Sequence, residues 1–134
     1  MRPHAMRQGP LQDADVMAFA VMSRKPAYRS FYQRTLGLRV VDDDEMALVL
    51  DSGGSIIRIQ KSASHQPAPY TILGWRVPDI GSSVARLTAA GVKFERYDWM
   101  TFQDERGIAT FPNGDQVAWF KDPEGNILSV AQLK

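Results

Sequence analysis

Cysteine is absent from the 134 residues, and with it go disulfides, thiol nucleophiles and thiolate metal sites. Histidine is almost absent: His4 and His65 are the only two. No apolar run is long enough to cross a bilayer, and residues 1–13, although they carry Arg2 and Arg7, lack the hydrophobic centre of a signal peptide. The expectation is a cytoplasmic protein whose residues 1–13 form a disordered tail. Nor is there an excess of either charge. Lys and Arg total 16 against 15 Asp and Glu, a formal net charge of +1, so no basic footprint for nucleic acid is indicated. The one dense acidic run, Asp42-Asp43-Asp44-Glu45, reads as a solvated hairpin turn. What remains, at 44% hydrophobic and 23% charged, is the composition of one globular domain able to bury roughly two thirds of its unfolded surface.

The chain writes one pattern twice. The segment Ala47 to Ile59 lies without gaps on Ala118 to Val130. Each is a hydrophobic run, then a tight turn with Asp first and Gly fourth, then a second run alternating apolar with other residues, which is the signature of a hairpin. Upstream, Leu36 to Val41 resembles Ala90 to Glu95, and each follows a segment with helical spacing. In the first copy a leading strand of about Asp15 to Met22 precedes a helix of about Pro26 to Thr35, with Tyr28, Phe31, Tyr32 and Leu36 on one face and Gly37 as its stop. In the second, Thr71 to Val77 leads, Asp79 is the N-cap of a helix over about Ile80 to Ala90, and Gly91 ends it. The repeated unit is therefore strand, helix, three strands. Neither copy alone can cover both faces of a sheet, so the spacing predicts one α+β domain over residues 14–134, made of two βαβββ modules at about 14–62 and 70–134.

These residues resemble a known family. Phe31-Tyr32 with Leu36-Gly37-Leu38, then Val77-Pro78-Asp79-Ile80, Gly91-Val92, and Phe120-Lys121-Asp122-Pro123-Glu124-Gly125-Asn126-Ile127-Leu128 are similar, in order, to the vicinal oxygen chelate superfamily of glyoxalase I, extradiol dioxygenases and bleomycin-resistance proteins. The resemblance covers about Val16 to Gln132. It implies two βαβββ modules curled into an incomplete barrel around a cavity, commonly bordered by a second subunit, and hence a homodimer. In the family's enzymes a divalent metal is held by His, Glu or Gln side chains from the leading and last strands of each module. Carried over one position at a time, those places fall here on Met17 (Val16 if the register slips by one), Arg58, Ile72 and Ser129. A thioether, a guanidinium, an isoleucine and a hydroxyl do not make the convergent N or O set that such an ion requires. His4 and His65, in the tail and in the Lys61 to Pro69 connection, are not placed to substitute. The expectation is a site with no metal and no cofactor.

Strand alternation then assigns faces. Residues in phase with Arg58 and Ser129 turn to the cavity: Met17 and Phe19; Ile56, Arg58 and Gln60; Ile72, Gly74 and Arg76; Ile127, Ser129 and Ala131. Ile57, Ile59, Leu128 and Val130 fall to the core, as do Trp75 and Trp119 by their strand neighbours. The long segment Phe94 to Gly107 brings Tyr97, Trp99, Phe102 and Gln103 and reads as a lid or cavity wall. An apolar wall with two guanidinium groups suits a small organic ligand with a carboxylate, carbonyl or phosphate oxygen. Duller readings stand beside this one. Arg58 pairs with Asp98, Asp104 or Glu105, Arg76 reaches solvent, Gln60 is a rim residue, and Trp99 and Phe102 fill a core or a dimer contact.

Three functions follow, and we take the first. It is a metal-independent small-molecule-binding protein, using Met17, Phe19, Arg58, Gln60, Ile72, Arg76, Tyr97, Trp99, Gln103 and Ser129, with neither nucleic acid nor membrane as partner. The second is a metal-free lyase or isomerase, in which Arg58 polarises a carbonyl and Asp104, Glu105 or Tyr97 carries a proton. The third is an interaction module whose cavity is filled by side chains such as Met17 and Ile72.

Overall fold

A computed structural model describes residues 9–23 and 27–134. His4 and Pro26 lie outside the described residues; residues 9–14 are tied by turns, with the amides of Gln12 and Ala14 donating to the carbonyls of Gly9 and Leu11.

The first module runs β1 (Met17–Met22), α1 (Ala27–Ser30) continuing into a π-helical turn (Phe31–Thr35), β2 (Arg39–Asp43), β3 (Ala47–Ser52) and β4 (Ser55–Lys61). The second runs β5 (Thr71–Arg76), α2 (Ile80–Ala89), β6 (Ala109–Thr110), β7 (Gln116–Lys121) and β8 (Ile127–Gln132). Each builds a four-stranded sheet of the same plan. The orders are β1-β4-β3-β2 and β5-β8-β7-β6, with the leading strand parallel to the last and the remaining pairs antiparallel. The sheets approach along β1 and β5 and do not close, so the α+β expectation of two βαβββ modules in an incomplete barrel holds.

The first helix departs from a plain α-helix. The Leu36 amide donates to the Phe31 carbonyl five residues back, at 2.9 Å, which widens the last turn. Tyr32 is thereby fully buried, with Phe31 edge-on to it at 5.2 Å between centroids. α2 starts as expected: Asp79 is extended, and its carboxylate accepts from the Ser82 amide at 3.2 Å.

The second module is less regular than the first. Where β2 follows the first helix directly, the matching residues after α2 are reduced to one bridge, Phe94 to Phe120, and β6 forms only after the loop. The core lies on one side of both sheets. Leu48, Leu50, Ile57 and Ile59 of the first module meet Ala118, Phe120, Leu128 and Val130 of the second, with Tyr32 and the α2 residues Ile80 and Val84 above them. Ile57, Ile59, Leu128 and Val130 are the core residues that alternation assigns.

The Asp-Pro-x-Gly-Asn turn fastens the modules together. Asp122 Oδ2 accepts from the Tyr32 hydroxyl at 2.7 Å, while its Oδ1 accepts from the amides of Glu124 and Asn126, both at 2.9 Å. Asn126 Nδ2 donates to the Val21 carbonyl and to Asp122 Oδ2, each at 2.8 Å, and Oδ1 lies 2.7 Å from His65 Nε2. Asp122, Asn126 and Tyr32 are all buried, so each polar atom in the seam needs the partner it has. Burial and the Asp122 charge push the Tyr32 phenol far above the ordinary tyrosine value.

Candidate functional site

Paired residues on adjacent strands share a face, so register fixes what turns away from the core. In the first sheet Phe19 stands opposite Arg58, and Arg58 opposite Val49. Flanking rows are Met17 with Ile56 and Val21 with Gln60. In the second sheet Gly74 stands opposite Ser129, and Ser129 opposite Trp119, with Arg76 and Ala131 in the next row. The two rows flank the line where β1 and β5 meet. The face is apolar and open: Met17 is 46% and Phe19 50% exposed.

Gly74 hollows this face beside Ser129. A Cβ at Gly74 would lie 2.7 Å from Ser129 Oγ, so the bare backbone leaves the hydroxyl its place. Ser129 itself is buried. Ile72 falls in a bulge between Thr71 and Leu73 and packs against the core, which takes it out of the alternating row. Gln60 and Arg76 are exposed.

Sequence reasoning assigned Trp119 to the core, and the register corrects this. Trp119 is opposite Ser129 on the open face, half-buried, with the Tyr97 ring edge-on at 5.8 Å. Trp99 continues the series at 6.1 Å from Tyr97, and at 73% exposed it projects into solvent. Two further aromatic rings thus extend the Gly74-Ser129-Trp119 row outward. Trp75 does pack against the core, its indole N–H donating to Ser52 Oγ at 2.9 Å.

The loop that carries Tyr97 and Trp99 is pinned by Gln103. Its Oε1 accepts from the Tyr97 amide at 2.9 Å, and its Nε2 donates to the carbonyls of Glu95 and Gly107 at 2.7 and 2.9 Å. All of this side chain's donors are used on backbone, so Gln103 positions Tyr97. Burial, and then the Glu95 charge, push the Tyr97 phenol above the ordinary tyrosine value. Tyr97 therefore keeps its proton at neutral pH.

The carboxylates sort differently. Burial pushes Asp104 up, but the amides of Ile108 and Arg106 and the Arg106 guanidinium outweigh it and hold the carboxyl below the usual range. Asp104 is thus spent inside its own loop, and Glu105 is exposed. None of the ion pairs among the described residues includes Arg58, so the expected alternative of a pair with Asp98, Asp104 or Glu105 is not formed. Its charge does reach Asp44, whose carboxyl is lowered first by the amides of Ala47 and Met46 and to a lesser degree by Arg58.

Among the described residues no three His, Cys, Asp or Glu side chains cluster where they could hold a metal ion. The four places the resemblance assigns to ligands, Met17, Arg58, Ile72 and Ser129, offer one hydroxyl and one fixed positive charge. That chemistry does not fit a divalent cation. No helix among the described residues is long and apolar enough to cross a membrane.

Comparison with known proteins agrees with this architecture. No curated protein matches the sequence. Among solved structures, lactoylglutathione lyase from Agrobacterium tumefaciens is similar at 16% identity and TM-score 0.67, over 89% of this chain and 93% of that one. The fosfomycin resistance protein FosX from Listeria monocytogenes is similar at 13% identity and TM-score 0.69, over 96% of each chain. A superfamily member from Sphaerobacter thermophilus shares 21% identity at TM-score 0.65, over 88% and 97%. The family model of the Glyoxalase/Bleomycin resistance protein/Dioxygenase superfamily matches residues 21–130, and the chain belongs to that superfamily.

Proposed function

We propose that this chain binds a small organic molecule on its open face without a metal ion, as a homodimer whose second copy covers part of that face. The observation that carries this reading is the row Phe19-Arg58-Val49, in which a guanidinium without an ion pair stands among apolar side chains. Trp119, Tyr97 and Trp99 provide rings for a planar partner. Arg58 would take the ligand's carboxylate, carbonyl or phosphate oxygen through charge-assisted hydrogen bonds. Ser129 and Arg76 add polar contacts from the second sheet, Met17 and Gln60 form the rim, and Gln103 and Ile72 hold the elements on which these residues stand.

A second reading has one specific support. Tyr97 keeps its proton and packs against the ring next to Ser129, so a metal-free lyase or isomerase would use it as a proton donor, with Arg58 polarising a carbonyl. Asp104 is a poor proton acceptor because its carboxyl is held low.

The deciding experiment is a thermal-shift screen of aromatic and amphipathic carboxylates, run in EDTA and repeated with added zinc, manganese or nickel. A ligand that binds only the native state raises the melting temperature. Stabilisation that persists in EDTA supports the proposal. Stabilisation that appears only with stoichiometric divalent ion overturns it.

A further inference from the structure

On the side of the sheets opposite the open face, a cavity of about 480 Å³ lies between the end of the first helix and α2. That volume falls inside the range of small-molecule sites, roughly 300–1,000 Å³. Its accessible apolar lining is Trp75, Leu38 and Leu87, half-buried side chains backed by the buried Phe120 and Val130. Because the Trp75 N–H is already given to Ser52, the indole offers the cavity only its hydrocarbon surface.

The rim is charged with one sign. Arg34, Arg76 and Arg86 line the cavity and no acidic residue does. None of the three enters an ion pair among the described residues. The ends of two helices also face this space, since Thr35 and Leu36 close the first and Ala90 closes α2. Arginines near helix ends offset the backbone dipole, but each end carries only about half a negative charge. Arg76 shares the strand phase of Gly74 and belongs to the open face, so two guanidiniums, Arg34 and Arg86, against two such ends leave a net charge of about +1. Arg76 also acts on Asp115, helping to hold its carboxyl low.

We infer that this cavity is a second binding site, for a small amphipathic carboxylate whose apolar tail lies on Trp75, Leu38 and Leu87 and whose head meets Arg34 and Arg86. It is independent of the open face, because Trp75 and Val130 turn to the core side while Gly74 and Ser129 turn away from it.

Titration of the full chain with decanoate, followed by amide resonances, tests this. Saturable shifts are expected at Leu36 to Leu38 and Ser83 to Leu87, with decanoate at least tenfold tighter than decanamide. The double variant Arg34→Gln, Arg86→Gln should weaken decanoate at least tenfold while leaving the rest of the spectrum in place; both side chains are exposed. Should the double variant not fold, the single Arg86→Gln carries the test with about a threefold loss. Shifts confined to β1, β4 and β8, equal binding of decanamide, unchanged affinity in the variants, or no saturation would each overturn the assignment.

Discussion

Arg58 is where the functional reading is most exposed to test. It stands opposite Phe19 and Val49 with no carboxylate against it, so deleting its side chain strands no buried partner. Stability should change by less than about 0.5 kcal/mol in Arg58→Ala. Affinity for an anionic ligand identified in the screen should fall by about 1.5 to 3 kcal/mol, the range for hydrogen bonds to charged groups. Calorimetry of binding and denaturant unfolding of the same variant separate the two. A large loss of stability with unchanged affinity would make Arg58 a structural residue.

Elements decide where these side chains point, and at this scale the sequence was partly legible. The duplicated hairpin, the helix stops and the Asp79 cap are short-range chemistry and were readable, as was the phase of β4 and β8. Trp119 was not, because its face depends on turn length. The first hairpin closes with Ser52 opposite Ser55, whereas the second closes with Lys121 opposite Ile127. The gapless alignment of the two copies therefore hides a shift of one residue in pairing, and one residue reverses every side chain of a strand. Ile72 escaped for the same kind of reason, since its bulge has no sequence mark. The role of Gln103 was hidden as well: only folding brings the Glu95 and Gly107 carbonyls to its amide. Gly107 makes that loop possible. It has φ +93, and a Cβ there would lie 2.9 Å from Phe94 Cβ and 3.4 Å from the Glu95 carbonyl. Gly107→Ala should cost roughly 1–3 kcal/mol from the strained backbone and loosen Tyr97 and Trp99. The expected readouts are a lower melting temperature and faster amide exchange over 95–107, with exchange in β3 and β4 little changed.

For the molecule as a whole, carboxylates within each module should set the response to acid, and the seam between modules the response to alkali. Asp43 is lowered chiefly by its hydrogen bond from Lys61, Asp51 by its bond from Arg39, and Asp115 by the Lys134 amide. A carboxyl whose folded value lies below its unfolded value, near 4, contributes stability that is complete above the unfolded value. That contribution is lost as pH falls through the folded one. Stability should therefore be flat from pH 7 to about 5 and decline below about 4. Tyr32 behaves in the opposite sense. Its folded value is raised by burial and by Asp122, so its contribution is complete below the ordinary tyrosine value of about 10 and declines as pH rises beyond it. Tyr97 adds a weaker effect of the same sign. Tyr32→Phe removes the hydroxyl that donates to Asp122 while Asn126 still donates to the same oxygen. It should cost about 1.5 to 3 kcal/mol at neutral pH and take one proton's worth of slope from the alkaline side. Urea unfolding of both proteins from pH 7 to 11 measures this directly. Parallel alkaline declines would mean that the Tyr32 proton is not held by the fold, and that Asp122 joins the modules through Asn126 alone.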